Sequence, residues 1–270
     1  MGSMIHRTDA RALALGFAAG TGLLLAGCQT VPITGRSHMV LVSSAEEKKM
    51  GEQAYQETLK KSKLSSDSQK VALIRQVGLR LAKAADKPDF QWEFNLIEDD
   101  KQINAWCLPG GKVAFYTGIL PVTQDEDGIA VVMGHEIAHA LARHGAERMS
   151  QSMVAQGIGT VAGAFLGNSP ASRGLFEQAY GLGVGVGILL PYGRKQESEA
   201  DHIGLVIMAK AGYDPNKALD FWQRMEKATG GKGGGPLDRY LSTHPVNTDR
   251  QKAIQGWIPE AMQHYRPRNP

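Results

Sequence analysis

Two histidines four positions apart are the residues of this chain best suited to bind a metal ion. They belong to the run HEIAH, which extends from His135 to His139. This spacing places both imidazoles on one face of a helix, where they can share one ion. Glu136 lies about 100° further round the helix and can reach a water on that ion. The pattern H-E-x-x-H is typical of zinc peptidases, in which the glutamate is the general base.

The surrounding residues predict that this run lies on a buried helix. Apolar side chains occur on nearly all sides of it, and histidines in such surroundings are costly to bury without a partner. Acidic residues at 125–127 favour the positive end of the helix dipole. Arg143, His144 and Gly145 are typical of a helix end with a glycine cap. We therefore expect His144 to be a cap or surface residue. The alternative for the whole run is the polar edge of an ordinary helix.

A third protein ligand must come from another part of the chain. A metzincin needs glycine at 142 and histidine at 145, and the presence of Ala142 and Gly145 excludes that class. A later segment offers Glu197 and Asp201 on one helical face, whereas Glu199 is about 200° from Glu197 and is expected to point away. We predict that Glu197 binds the metal and that Asp201 accepts the outer N–H of a ligand histidine. The alternative is a solvated acidic helix start.

Four motifs in this order resemble one family of zinc endopeptidases, which includes HtpX, the CAAX prenyl protease of the endoplasmic reticulum, and the periplasmic proteases BepA and LoiP. The motifs are the segment 104–118, the HEIAH run, residues 197–201, and residues 242–245 with Arg250. The match spans most of the chain after its N-terminal segment. Members hold zinc through the equivalents of His135, His139 and Glu197. The resemblance therefore implies one Zn²⁺ per chain and an α+β, mainly helical fold with a gluzincin-type core.

The resemblance also implies residues that the spacing does not reveal. Asn104 corresponds to an asparagine near the bound substrate, and Val113–Tyr116 resembles an edge strand along which an extended peptide binds. His244 matches a histidine close to the metal, and Arg250 an arginine that supports the site. Without the family, these two would be a loop histidine and a surface arginine. His244 is expected either to occupy the open zinc position and hold the enzyme latent, or to stabilise the transition state.

The N-terminal residues resemble a bacterial lipoprotein signal. Basic residues precede an apolar run that ends LAGC at Cys28, and this run is shorter than the roughly 20 residues of a membrane span. The pattern implies lipid attachment to Cys28, and Gln29 after it implies the outer membrane. We expect a signal peptide at 1–27, of which 1–3 resemble a tag remnant, a lipidated tether at 28–42 and a zinc peptidase domain at 43–270. The expected location is the periplasmic face of a bacterial outer membrane.

Composition fits one catalytic domain and excludes a nucleic-acid-binding protein. The 270 residues carry a net charge of +3, 21% of them are charged, and no basic cluster stands out. With Cys28 lipidated, Cys107 would be the only other cysteine, and we expect it to be a packed or pocket-lining thiol. The expected partners are protein or peptide substrates in extended form, the membrane through the lipid anchor, and outer-membrane assembly machinery.

The remaining pattern predicts a small sheet that precedes a helical core. Ser43 and Glu46 form a capping box, residues 92–96 alternate as a strand does, and from about residue 124 the pattern is helical. The glycine-rich stretch 157–187 is interrupted by polar residues, which favours close-packed helices or a mobile flap over a membrane span. Residues 230–235 predict a flexible loop.

These observations predict a zinc-dependent endopeptidase that hydrolyses misfolded or unassembled envelope proteins. Glu136 is expected to take a proton from a zinc-bound water. One alternative is a chaperone-like or assembly-factor lipoprotein with secondary proteolysis, although zinc retention alone would not require Glu136. Another is a solute-binding lipoprotein, which would contain no stoichiometric metal.

Overall fold

Helices form most of the chain that the computed structural model describes, which is residues 28–155, 169–182, 193–229, 240, 244 and 248–268. The strands are β1 (Cys28–Thr30), β2 (Ser37–Met39), β3 (Glu93–Ile97), β4 (Ala105–Leu108) and β5 (Lys112–Tyr116). The helices are α1 (Ser44–Lys61), α2 (Ser68–Ala85), a single turn α3 (Leu120–Thr123), α4 (Glu126–Leu141), α5 (His144–Ala155), α6 (Pro170–Ala179), α7 (Arg194–Lys210), α8 (Lys217–Thr229) and α9 (Thr248–His264). The predicted α+β, mainly helical fold is confirmed.

The larger sheet has the strand order β3-β5-β4. β5 pairs in parallel with β3 on one side and antiparallel with β4 on the other. The prediction that Val113–Tyr116 is an edge strand is therefore wrong, because these residues belong to the central strand. The edge strand that packs against α4 is β4. A turn at Pro109 to Gly111 joins β4 to β5, which makes these two strands a hairpin.

Side-chain caps begin two helices where the sequence predicts. At α1, Ser43 and Glu46 form the expected capping box. At α4, the carboxylate of Asp125 accepts a hydrogen bond from the backbone N–H of Gly128 at 2.8 Å. Each cap satisfies a backbone donor that the first helical turn leaves without a partner. α4 is thereby fixed at the end from which it runs into the core.

The end of α4 differs from the prediction of a glycine cap at Gly145. Arg143 adopts the left-handed conformation instead, with φ of 54°, and its guanidinium binds the carboxylate of Glu47 and the carbonyl of Val42. Gly145 lies in α5, where an added Cβ would be 2.1 Å from the ring of Tyr180. The chain therefore turns sharply after α4, and α5 begins with His144.

Helices α4 and α7 meet backbone to backbone. A Cβ on Gly204 would lie 3.0 Å from the backbone nitrogen of His135, and one on Gly134 would lie 3.2 Å from the carbonyl oxygen of Gly204. Small residues at a crossing let helices approach closely. This contact sets the distance between the histidines of α4 and the acidic residues of α7.

Gly204→Ala is expected to lower the free energy of unfolding by about 1–3 kcal/mol, because the added methyl group meets backbone atoms that cannot rotate away. Urea denaturation of the metal-free protein measures this change. The matched control is Gly256→Ala in α9, where a Cβ meets nothing within 4 Å and the better helix propensity of alanine is expected to add up to about 1 kcal/mol. Since Gly204 also lies inside a helix and gains the same propensity, a stability of Gly204→Ala equal to that of Gly256→Ala would refute the close contact.

The segment predicted as a tether, 28–42, begins as an antiparallel hairpin of β1 and β2. Val31, Val40 and Val42 are buried, and the hairpin is attached to α5 and α7 through Arg36. This segment therefore packs on the catalytic domain as part of it.

Three predictions concern residues outside the described ranges. They are the signal peptide at 1–27, most of the glycine-rich stretch 157–187, and the loop 230–235. Among the helices that the structure does describe, none is both long and apolar enough to cross a membrane.

Candidate metal centre

Four buried side chains from three parts of the chain converge on one point. His135 and His139 come from α4, Glu197 comes from the first turn of α7, and His244 precedes α9. One ligand atom from each lies within 4.8 Å of those of the other three. The structure thus brings together the three residues predicted as zinc ligands and the histidine that the resemblance placed near the metal.

The spacing of these atoms fits a tetrahedral ion. The Nε2 atoms of His135 and His139 are 3.0 Å apart, and the two oxygens of Glu197 lie 3.4 and 3.3 Å from them. The Nδ1 atom of His244 is 3.2 Å from His135 Nε2 and 3.0 Å from Glu197 Oε2. Ligands at about 2.0–2.1 Å from zinc are roughly 3.3 Å from one another in a tetrahedron. Three nitrogens and a carboxylate at these separations are a donor set that suits zinc, with His244 in the fourth position.

Glu136 is buried beside the cluster. Its Oε1 accepts a hydrogen bond from the hydroxyl of Tyr240 at 3.4 Å and lies 3.5 Å from His244 Nε2. Burial raises the pKa of Glu136, although positive charge on His244 and His135 opposes the shift. A carboxyl group whose pKa is raised towards neutrality is suited to accept and return a proton.

Asp201 contacts the outer ring nitrogen of His135, and Arg250 in turn binds Asp201. The Nδ1 of His135 lies 2.9 Å from Asp201 Oδ1, and Arg250 donates two hydrogen bonds to the Asp201 carboxylate, at 2.5 and 2.8 Å. Burial disfavours the charged form of Asp201, but Arg250 and His135 outweigh it and hold the pKa of Asp201 below its usual value. Burial likewise disfavours the charged form of His135, and hydrogen bonds to Asp201 and Glu197 raise its pKa to about 9. The guanidinium of Arg250 also stacks on Trp222, at 3.7 Å from the ring centroid.

His144 lies where the sequence analysis did not place it, in contact with Glu199. His144 is buried and its Nδ1 is 2.8 Å from Nδ1 of His139, while its Nε2 is 3.0 Å from Oε2 of Glu199. The expectation of a surface histidine at 144 is therefore wrong, whereas Glu199 points away from the metal cluster as expected. The helix does not continue from His139 to His144, because the left-handed Arg143 between them turns His144 back. Glu199 does face away from the metal, yet that side of α7 is covered.

Asn104 and Cys107 lie at the edge strand. The side-chain oxygen of Asn104 accepts a hydrogen bond from the N–H of Ala105 at 3.0 Å, and its carbonyl accepts one from Tyr116 at 3.1 Å. The hydrogen bonds that the structure gives Asn104 thus belong to the sheet. Cys107 is buried, and burial raises the pKa of its thiol well above the usual value. Such a thiol stays protonated, as expected of a packed cysteine. Cys28, the predicted lipidation site, is exposed at the start of β1.

The chain is similar to known metalloendopeptidases over most of its length. It is 38% identical over 235 residues to the mitochondrial metalloendopeptidase OMA1 of Schizosaccharomyces pombe, covering 86% of this chain and 67% of the relative. The OMA1 protein of Saccharomyces cerevisiae is 30% identical over 282 residues, covering 97% and 78%. The beta-barrel assembly-enhancing protease of Escherichia coli is 26% identical over 224 residues, covering 82% and 45%.

These relatives contradict the predicted location on the periplasmic face of a bacterial outer membrane. The two OMA1 proteins with the higher identity are mitochondrial by name, and so are the OMA1 relatives from cattle and human. The N-terminal pattern that suggested a lipid anchor lies mostly at residues 1–27, whereas the similarity to these proteases extends over the catalytic residues. The prediction of a lipid-anchored protein of the bacterial envelope is therefore wrong.

The region shared with one peptidase family contains every residue of the metal cluster. The sequence model of peptidase family M48 matches residues 68–258, from the start of α2 into α9. The β1–β2 hairpin and α1 precede the matched region. The match covers well over half of the chain, and the two OMA1 relatives, at 38% and 30% identity, support the same assignment. The chain therefore belongs to peptidase family M48 and is a metalloendopeptidase, as the four motifs implied.

Proposed function

We propose that this protein is a zinc-dependent endopeptidase that cleaves misfolded or unassembled proteins, with Glu136 as its general base. The observation that carries the proposal is the cluster of His135, His139 and Glu197, whose ligand atoms are 3.0–3.4 Å apart with Glu136 buried beside them. Two imidazoles and one carboxylate are the ligand set of gluzincin-type catalytic zinc sites. The homologous metalloendopeptidases support the same reaction.

Glu136 and Tyr240 supply the proton chemistry of this mechanism. When bound, zinc supplies Lewis-acid chemistry that activates water and polarises the scissile carbonyl. Glu136 accepts the proton of the attacking water and then returns it to the leaving amine, a transfer that its raised pKa favours. Tyr240 is a hydrogen-bond donor next to Glu136, and burial raises the pKa of Tyr240 well above its usual value, so that it keeps its proton. Its hydroxyl can orient Glu136 or stabilise the developing oxyanion.

The substrate is proposed to bind in extended form along β4. The carbonyl of Asn104 faces β5, because it accepts the N–H of Tyr116. Backbone groups alternate in direction along a strand, so those of Ala105 and Cys107 point away from β5. A peptide paired with this edge would be held mainly by main-chain hydrogen bonds, which give affinity with limited sequence preference. Extended backbone is exposed by unfolded segments rather than by folded domains, and this supports misfolded or unassembled proteins as substrates.

The function is tested by metal analysis and peptide digestion together. We expect purified protein to contain about one zinc per chain by elemental analysis and to cleave a mixed peptide library at internal bonds. A chelator should abolish cleavage, and added zinc should restore it. Protein that contains no stoichiometric metal, or whose cleavage survives complete removal of the metal, would refute the proposal.

His244 is proposed to hold the enzyme latent, because its Nδ1 lies 3.2 Å from Nε2 of His135 and 3.0 Å from Oε2 of Glu197, where it would be a fourth ligand of a bound zinc ion. His244→Ala is expected to raise zinc-dependent casein cleavage. The increase can reach about 100-fold if the closed form is populated about 99:1. The control is His264→Ala at the exposed end of α9, which should leave the rate unchanged.

A second measurement separates latency from a role of His244 in the transition state. A small hydroxamic acid needs the same fourth position, so His244→Ala should bind it more tightly than wild type does. Lower activity with unchanged hydroxamate affinity would favour the transition-state role and refute latency.

A further inference from the structure

The outer nitrogen of His139 meets a second imidazole, where that of His135 meets a carboxylate. Nδ1 of His139 is 2.8 Å from Nδ1 of His144, and Nε2 of His144 is 3.0 Å from Oε2 of Glu199. All three side chains are buried, with no exposed fraction for His144. These contacts connect the metal cluster to Glu199, which is not part of the cluster.

The positions of the hydrogens in this series of contacts follow from the role of His139. If Nε2 of His139 binds a metal ion, it uses its lone pair, and its Nδ1 must carry the hydrogen. Nδ1 of His144 must then accept that hydrogen bond, so the hydrogen of a neutral His144 lies on Nε2. That atom faces the carboxylate of Glu199, which only accepts when ionised. Each N–H thus meets an acceptor. If each hydrogen lay on the opposite ring nitrogen, Nε2 of His139 would carry an N–H that points at the metal.

Glu199 is itself held by the β1–β2 hairpin. Arg36 donates from Nε to Glu199 Oε2 at 2.7 Å, and the hydroxyl of Thr34 donates to the other oxygen. Three donors thus converge on the carboxylate of Glu199, namely Nε2 of His144, the hydroxyl of Thr34 and Nε of Arg36. Arg36 also binds Glu147 through both terminal nitrogens, at 2.8 Å each. The chain of contacts therefore ends on residues that precede the region matched by the family, 68–258.

We propose that His144 and Glu199 are positioning residues that fix the tautomer and orientation of His139 and thereby set the affinity of the site for zinc. This inference rests on the proposed role of His139 as a metal ligand. Asp201 contacts the outer nitrogen of His135 directly. The carboxylate of Glu199 acts on His139 through the imidazole of His144. Groups that orient a metal-bound histidine typically contribute 10- to 100-fold to metal affinity.

The test measures the zinc dissociation constant of the full chain by competition with a chelator. His144→Leu removes both contacts and is expected to weaken zinc binding by about 10- to 100-fold. His144→Asn keeps an acceptor oxygen near the position of Nδ1 and should recover most of this loss. Glu199→Gln keeps an acceptor without the charge and should show a smaller loss than His144→Leu. The absorption spectrum of the Co²⁺-substituted protein should shift in His144→Leu, because the imidazole of His139 is reoriented.

The matched control is Glu147→Gln. It weakens the same hairpin, through the other partner of Arg36. The hydrogen bonds that the structure gives Glu147 go to Arg36, His38 and Gln196 rather than to His144. Its zinc dissociation constant should stay within about twofold of wild type. Urea denaturation of each metal-free variant identifies losses that come from folding, and His144→Asn and Glu199→Gln provide the comparison if His144→Leu does not fold.

The series of contacts from His139 through His144 to Glu199 is called the relay below. Each outcome of the test decides for or against it. An unchanged zinc dissociation constant in His144→Leu would overturn the relay, even though wild type binds zinc as proposed. An equal loss in Glu147→Gln and Glu199→Gln would assign the effect to docking of the hairpin and overturn it as well. A wild-type protein without stoichiometric zinc would refute the proposed function, and the relay with it.

Discussion

Replacing Glu136 with glutamine is expected to lower kcat/KM for peptide cleavage by about 10²- to 10⁴-fold, the usual contribution of a general acid–base group. Zinc content should stay at the wild-type level, because Glu136 lies beside the cluster and contacts Tyr240 and His244 rather than the ligand atoms of α4. Steady-state kinetics with a fluorogenic peptide and elemental analysis of the same sample measure the two quantities.

The control for this change is Glu98→Gln, which neutralises an exposed glutamate paired with Lys63 far from the cluster. Its kcat/KM should equal that of wild type. If Glu136→Gln retains both its zinc and more than a tenth of the wild-type kcat/KM, Glu136 is not the general base. If the variant is inactive and still rescues the cellular defect of a deletion, binding rather than cleavage is the main task of the protein.

Replacing Arg250 with alanine is expected to lower the free energy of unfolding by about 3–5 kcal/mol, the usual cost of removing one partner from a buried ion pair. The loss leaves the Asp201 carboxylate buried without its two hydrogen bonds from Arg250 and removes the stacking on Trp222. Urea denaturation of the metal-free protein measures the change. Arg266→Ala is the control, since this arginine is exposed and the hydrogen bonds that the structure gives it go to the nearby carbonyl groups of Gln263 and Tyr265.

A double variant tests the cause of this loss. Arg250→Ala with Asp201→Asn removes the stranded charge while it keeps an amide oxygen that can accept from His135. It should therefore be more stable than Arg250→Ala alone. If the two are equally unstable, the main cause is the loss of the stacking on Trp222 or of the ion pair with Glu197, in which Nη1 of Arg250 is 3.3 Å from Oε2. Arg250→Lys is expected to recover only part of the stability, because a lysine cannot form the paired hydrogen bonds of the guanidinium.

The parts of the site that lie within one element follow from the sequence. His135, Glu136 and His139 share one helix, so their relative positions are set by helical periodicity alone. Glu197 and Asp201 likewise share the first turns of α7. The capping box at Ser43 was predictable for the same reason.

The errors arose where one element meets another. The order β3-β5-β4 depends on a parallel pairing between β3 and β5 that no local pattern reveals, and the resemblance that implied an edge strand at Val113–Tyr116 did not show it either. The position of His144 depends on the single left-handed residue Arg143, since most sequences avoid that conformation outside glycine. The role of Glu199 depends on a hairpin from a distant part of the chain, over a separation of 163 positions from Arg36.

The metal cluster also has a consequence for the time at which proteolytic activity arises during synthesis. His135 and Arg250 are 115 positions apart, and closing so long a loop costs entropy that only the final packing returns. Chains are made from the N-terminus and fold as they emerge. The helix with HEIAH is therefore complete well before Tyr240 and Arg250 have left the ribosome. An unfinished chain has the ligands of α4 without the supports of the finished site, so the order of synthesis itself delays the appearance of a working peptidase.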